Sequence, residues 1–195
     1  DYTSIDGADT VRPAKSLDGG ATWNPLPSSS WPTDLQAYTL HVDPGNSNRI
    51  VVSADYFSIY FSNDGGISFT QKFSTAGGGG AHVAGVFFDG ANIFIGTNLG
   101  LLVSTDNGGT FNLSNVTGIP ASEYMVSFAG AKQNGTVRFF CATSNSVWAG
   151  MMVEESFWGF QKLYSLDWGQ GSWTPRMSAI AAGHAPVLVS MALNN

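Results

Sequence analysis

The sequence predicts an all-β protein, a β-propeller of four-stranded antiparallel blades, and three observations predict it. The first is a short pattern, Ser-x-Asp-x-Gly-x-Thr/Ser-aromatic. It occurs at Ser16, Asp18, Gly20, Thr22 and Trp23, at Ser62, Asp64, Gly66, Ser68 and Phe69, and at Ser104, Asp106, Gly108, Thr110 and Phe111. A looser fourth copy, with one extra residue before its aromatic, runs through Ser165, Asp167, Gly169, Ser172 and Trp173. The second observation is spacing: 46 residues separate Ser16 from Ser62, 42 separate Ser62 from Ser104, and 61 separate Ser104 from Ser165. The first two intervals are lengths that four short strands fill, and the third carries an insertion. The third observation is composition, with 24 glycines, 13% aromatic residues and only 11% charged residues in 195. That is the balance of a turn-rich sheet protein.

The pattern spells a locked turn. An aspartate in a tight turn accepts hydrogen bonds from the backbone N–H groups that follow it, and glycine takes the positive φ the turn needs. The flanking hydroxyls tie the two arms, and the closing aromatic is expected to drop back into the core. Asp18, Asp64, Asp106 and Asp167 are therefore expected to be structural, because a residue repeated once per unit serves the unit. None of the four turns has the alternating acidic residues of a calcium loop.

Each repeat is expected to contain strands A to D, with the aspartate turn joining C to D. The N-terminal piece, 1–26, supplies a short strand at Tyr2 to Ile5, strand C at Thr10 to Lys15 and strand D at Thr22 to Leu26, and a Ser/Pro-rich loop follows. The first full blade, 35–73, reads as A at Leu35 to Val42, B at Arg49 to Ser53, C at Phe57 to Phe61 and D at Ile67 to Phe73. The second, 83–113, reads as Val83 to Phe88, Ile93 to Gly96, Leu101 to Val103 and Thr110 to Leu113. The third, 124–177, has A at Tyr124 to Ala131 and B at Val137 to Thr143, and C resumes at Phe160 after an insertion from Asn145 to Gly159. A last strand, 186–193, would open a further blade. The chain reads as part of a larger ring, with closure of the two terminal remnants into a fourth blade as the alternative.

The repeated pattern resembles the Asp-box (BNR) repeat of sialidases, xyloglucanases, sortilin-type receptors and photosystem assembly factors. The stretch from the glycines Gly78 to Gly80 through Val86 to Thr97, Asn98, Leu99 and Gly100 is similar to the opening blade of xyloglucanases, in which a glycine run precedes strand A and a Thr-Asp-x-Gly turn carries a catalytic aspartate. Asn98 stands at that position here, and an amide cannot act as an acid or base. Sialidases need an arginine triad and an Arg-Ile-Pro motif, and this chain has only Arg12, Arg49, Arg138 and Arg176, with no such motif. The resemblance implies a secreted or surface, carbohydrate-active propeller, glycoside hydrolase-like, that binds or hydrolyses a polysaccharide or oligosaccharide. It leaves open a non-catalytic scaffold or receptor module that binds protein.

Propeller geometry places the A–B turns and aspartate turns on one rim and the B–C turns and D–A connections on the other, where ligands usually bind. That second rim is expected to carry Asp55, Tyr56, Asn98, Trp31, His82, Glu123 and His184, together with the insertion. Trp148 and Trp158 would offer apolar rings to sugar C–H faces, and Asp55, with Glu154 or Glu155, would supply an acid or base. Each has a plainer reading: Asp55 caps a turn, the tryptophans seal the insertion, and the glutamates are a solvated pair. Asn98, Tyr56 and His82 are candidate ligand contacts.

The formal charge of -6 disfavours nucleic acid. No apolar run is long enough to span a bilayer, and no signal peptide opens the chain. Isolated histidines without a third ligand argue against a metal site, and no cofactor is expected. The single cysteine, Cys141, lies in an apolar run and reads as packing. Sequons at Asn112, Asn115 and Asn134 would matter only in a eukaryotic secretory host. The other partners expected are the missing blades, or another chain that completes the ring.

Overall fold

The computed structural model describes residues 12–27, 29–32, 35–55, 57–75, 80–147, 152–153, 156–157 and 160–177. The segments expected as strands at 2–5 and 186–193 lie outside these residues. Two compact units divide the chain, Asp1–Ala81 and His82–Asn195. Among the described residues there is no helix.

The first unit holds a two-stranded pair, β1 (Ala14–Lys15) with β2 (Asn24–Pro25), and a four-stranded antiparallel sheet of β3 (Ala37–Asp43), β4 (Asn46–Ala54), β5 (Ser58–Ser62) and β6 (Thr70–Ser74) in sequential order. Trp31 is fully buried against this sheet with Val52 and Ala54, and its ring meets Tyr60 at 5.2 Å and Phe69 edge-on at 5.3 Å. Its indole N–H donates to the Leu35 carbonyl at 2.9 Å, so Trp31 is a core residue and not the rim residue expected.

The second unit repeats the sheet twice. β7 (Val83–Asp89), β8 (Asn92–Thr97), β9 (Gly100–Ser104) and β10 (Asn112–Leu113) form one sheet. β11 (Tyr124–Gln133), β12 (Thr136–Ser144), β15 (Phe160–Asp167) and β16 (Thr174–Met177) form the next, with a small hairpin, β13 (Met152–Val153) and β14 (Ser156–Phe157), inside the insertion. Strand β11 packs across β7 and β8. Phe94, Phe128 and Phe139 lie between the sheets, with Phe139 4.8 Å from Phe94 and 5.2 Å from Phe128. The close approach needs glycine: a Cβ on Gly96 would come within 2.5 Å of Phe128, and one on Gly130 within 2.6 Å of Phe87.

Three of the four repeated turns share one hydrogen-bond set. The Ser62 hydroxyl donates to Asp64 at 2.7 Å and accepts the Gly66 N–H at 2.9 Å, while Asp64 accepts the N–H and hydroxyl of Ser68 at 3.0 and 2.6 Å. The same contacts recur around Asp18 with Ser16, Gly20 and Thr22, and around Asp106 with Ser104, Gly108 and Thr110. Gly66 sits at φ 85°, a left-handed conformation that a side chain would strain. The fourth copy differs. Its backbone turn forms, with the Gln170 N–H bonded to the Asp167 carbonyl, but the Asp167 carboxylate takes a two-pronged bond from Arg138 at 2.5 and 2.8 Å, and Ser165 accepts from Arg176. Asp167 thus braces β15 to β12 rather than locking its own turn.

The closing aromatics also divide. Phe111 and Trp173 are buried and Phe69 packs on Trp31, but Trp23 is 65% exposed, because β1 and β2 alone give it no sheet to enter among the described residues.

The hydroxyl and then the N–H of Ser68 hold the Asp64 pKa down to about 2, from 3.8. A carboxylate stabilised in this way contributes at pH above its unfolded value and loses that contribution as pH falls towards 2. Asp64→Ala is expected to lower stability by only about 1 kcal/mol, since solvent reaches the freed donors. Urea titrations at pH 7 and pH 2.5 check it: the gap between parent and variant should narrow at the lower pH.

Candidate functional site

The repeats act as internal controls for one another. Three ladder pairs, Ala37↔Ala54, Val83↔Thr97 and Met125↔Thr143, mark the same place in the three sheets. One residue beyond the second member of each pair stand Asp55, Asn98 and Ser144. Asp55 accepts the Gln36 N–H at 2.9 Å through Oδ1 and donates its own N–H to the Gln36 carbonyl at 3.0 Å. Asn98 does the same with His82, at 2.7 and 3.2 Å. Carboxylate and amide oxygens are interchangeable in this bracket. The geometry gives Asp55, at φ 50°, a turn-forming role, the plainer of its two expected readings, and ties Asn98 and His82 to each other.

Two residues before the first member of each ladder pair stand Leu35, Ala81 and Glu123. Leu35 packs on the Trp31 cluster and Ala81 is fully buried. The third blade puts an acid where the other two are apolar. Glu123, with its side chain 9% exposed, accepts from Lys162 at 2.5 Å, from the Thr143 hydroxyl at 2.7 Å and from the Tyr164 hydroxyl at 3.1 Å. Burial works against its charge, but the bonds from Lys162, Thr143 and Tyr164, with the charge of Lys162, outweigh burial and hold its pKa below the usual value. The bond to Glu123 in turn raises the pKa of Lys162, while burial first and Glu123 second raise that of Tyr164. Burial, and then the Glu123 charge, push the Cys141 thiol well up, which makes it an unreactive core group.

Glu123 and Asn98 line one cavity of about 260 Å³ within the second unit. Its walls are the 97–101 turn, the connection through Val116, Ile119 and Pro120, and the start of β11, with Trp173 and Met125 below. Glycosidic cleavage uses two carboxyl groups, and among the described residues Glu123 is the one carboxylate that lines this cavity. Tyr56, Trp148, Glu154, Glu155, Trp158 and His184 lie outside the described residues. Glu123 stood in the sequence as one rim residue among several. Aligning the blades by ladder register is what would have singled it out.

No family model matches the chain, and no curated protein matches it. Solved structures do. An ancestral GH74 enzyme superposes with a TM-score of 0.60 at 16% identity, over 84% of this chain and 22% of that one. The fold is that of a partial β-propeller. The GH74 xyloglucanase from Xanthomonas campestris matches 75% of the chain and 23% of its own length, with a TM-score of 0.55 and 18% identity. YCF48 bound to D1 peptide matches 85% and 48%, with a TM-score of 0.54 and 15% identity. The propeller described here therefore spans less than half the length of each of these three proteins.

Proposed function

We propose that this chain is part of an Asp-box propeller, one continuous propeller region over 1–195, that binds carbohydrate outside the cell or at its surface. The observation that carries the reading is Glu123, its side chain 9% exposed and on a cavity wall, at a place where the fold is satisfied twice over by apolar residues. Placing a nearly buried carboxylate here, with a partly exposed lysine as its partner, gains the fold little compared with apolar packing, so its presence points to a ligand. The likeness to GH74 enzymes supports the same reading at the level of fold. The role at this cavity is binding; Glu154 or Glu155 is the candidate within this chain for a second carboxylate. Trp148 and Trp158 are proposed as an apolar platform on the same insertion.

The test is calorimetry of the chain with β-glucan and xyloglucan oligosaccharides. Trp158→Ala should weaken binding by about tenfold, the scale of a lost stacking contact, while Asp55→Asn, which keeps the bracket oxygen, should change nothing. Loss of turnover in Asp55→Asn would restore its acid–base role. A second reading, peptide binding, is favoured by the likeness to YCF48, which is known with a bound D1 peptide. It takes over if no glycan in the panel binds.

A further inference from the structure

Building on the carbohydrate reading, we infer that the cavity beside Glu123 seats a single uncharged sugar ring, with Glu123, paired from outside the cavity by Lys162, as its charged wall. Size is the first argument. At about 260 Å³ the cavity lies just under the range of ligand pockets, about 300 to 1,000 Å³. That leaves space for one ring and not for a run of them.

The lining is the second argument. Leu101, Val116, Ile119, Met125 and Trp173 give an apolar surface for ring C–H groups, and Asn98 and Tyr124 add polar edges. Glu123 is the one charged side chain among the described lining residues, and Lys162 already neutralises it.

Charge is the third argument, and it sets selectivity. An acidic sugar entering this cavity would give up water around its carboxylate and meet another carboxylate first. A cationic side chain would have to displace Lys162 from Glu123. A neutral ring exchanges hydroxyl–water bonds for hydroxyl–carboxylate bonds without moving a charge, and hydrogen bonds to an ionised acceptor are the stronger kind. The pair therefore selects for hydroxyls and against ions. Glu123 would contact the ring directly, and Lys162, through its 2.5 Å bond, would hold Glu123 ionised and in place.

The experiment titrates the full chain, by calorimetry, with neutral β-glucan and xyloglucan oligosaccharides, with an oligogalacturonide and with a lysine-rich peptide. Two variants accompany the parent. Glu123→Gln removes the charge. Leu99→Trp fills the mouth from a position that is 43% exposed, so it does not depend on repacking the core. The expected result is binding of a neutral oligosaccharide, weakened about tenfold in Glu123→Gln, as for one lost hydrogen bond to a charged acceptor, and weakened at least as much in Leu99→Trp with an unchanged melting temperature. Neutral binding that Leu99→Trp leaves untouched overturns the seat but keeps the carbohydrate reading, with the ligand placed elsewhere. A preference for the oligogalacturonide overturns the charge selectivity and again keeps that reading. Binding of the peptide alone, or of nothing in the panel, overturns both.

Discussion

Phe139→Ala is expected to lower the unfolding free energy of the second unit by about 3 to 5 kcal/mol. The ring has no exposed surface and sits at the meeting of four others, 4.8 Å from Phe94, 5.2 Å from Phe128, 6.0 Å from Phe87 and 6.2 Å from Trp168. Truncation leaves a void between two sheets, and neither sheet can close onto it without breaking the ladder on its far side. Against a total stability of about 5 to 15 kcal/mol for a typical domain, much of the margin is lost. Urea unfolding followed by tryptophan fluorescence measures it. A cost below about 1 kcal/mol would mean that the two sheets are not packed through these rings.

Gly85→Ala is the second large effect, and it arises from overlap rather than from a void. A Cβ at this position would run into the backbone carbonyl oxygen of Phe128, which cannot swing aside as a side chain can. Relief requires moving β11 away from β7, which also unseats Phe128 from Gly96. The expected cost is at or beyond the upper end of the usual overpacking range, about 1 to 3 kcal/mol. Gly171→Ala is the matched control, since a Cβ there meets nothing within 4 Å. Equal melting temperatures for the two variants would sink the argument.

Much of the blade organisation was legible because it is periodic. The strand edges that shifted have a physical cause. The sequence suggested that the fourth strands begin at Ile67 and Thr110, but they begin at Thr70 and Asn112, because Ser68 and Thr110 are held in the turn by their bonds to Asp64 and Asp106. Hydrophobic alternation alone cannot show that a turn has captured the next strand's first residues. Asp167 was misleading for a related reason: its spacing fits the pattern, yet Arg138 lies across the ladder from it and takes the carboxylate. At the candidate site, Asp55 drew notice as an acid in a rim turn, although its job is one that Asn98 does equally well. Glu123 carries no more signal in the sequence than the other rim residues, because a lone acid before a strand is unremarkable until the blades are set in register and its counterparts prove to be Leu35 and Ala81.

The glycine sockets between the two sheets of the second unit bear on how such a repeat chain can change. Tandem copies that pack through equivalent surfaces can be duplicated, deleted or shuffled by recombination, because any copy fits beside any other. Here Phe128 rests on Gly85 and Gly96, and Phe87 rests on Gly130. At the ladder position of Gly85 and Gly96, the first blade carries Thr39 and Ser53, whose hydroxyls are joined at 2.8 Å. A copy of the first blade placed before the third would present two side chains to Phe128 where there is room for none. Blades two and three are thus a mated pair, exchangeable between related chains only as a unit, and a designer extending or trimming this array should cut outside residues 83–177 and not between them.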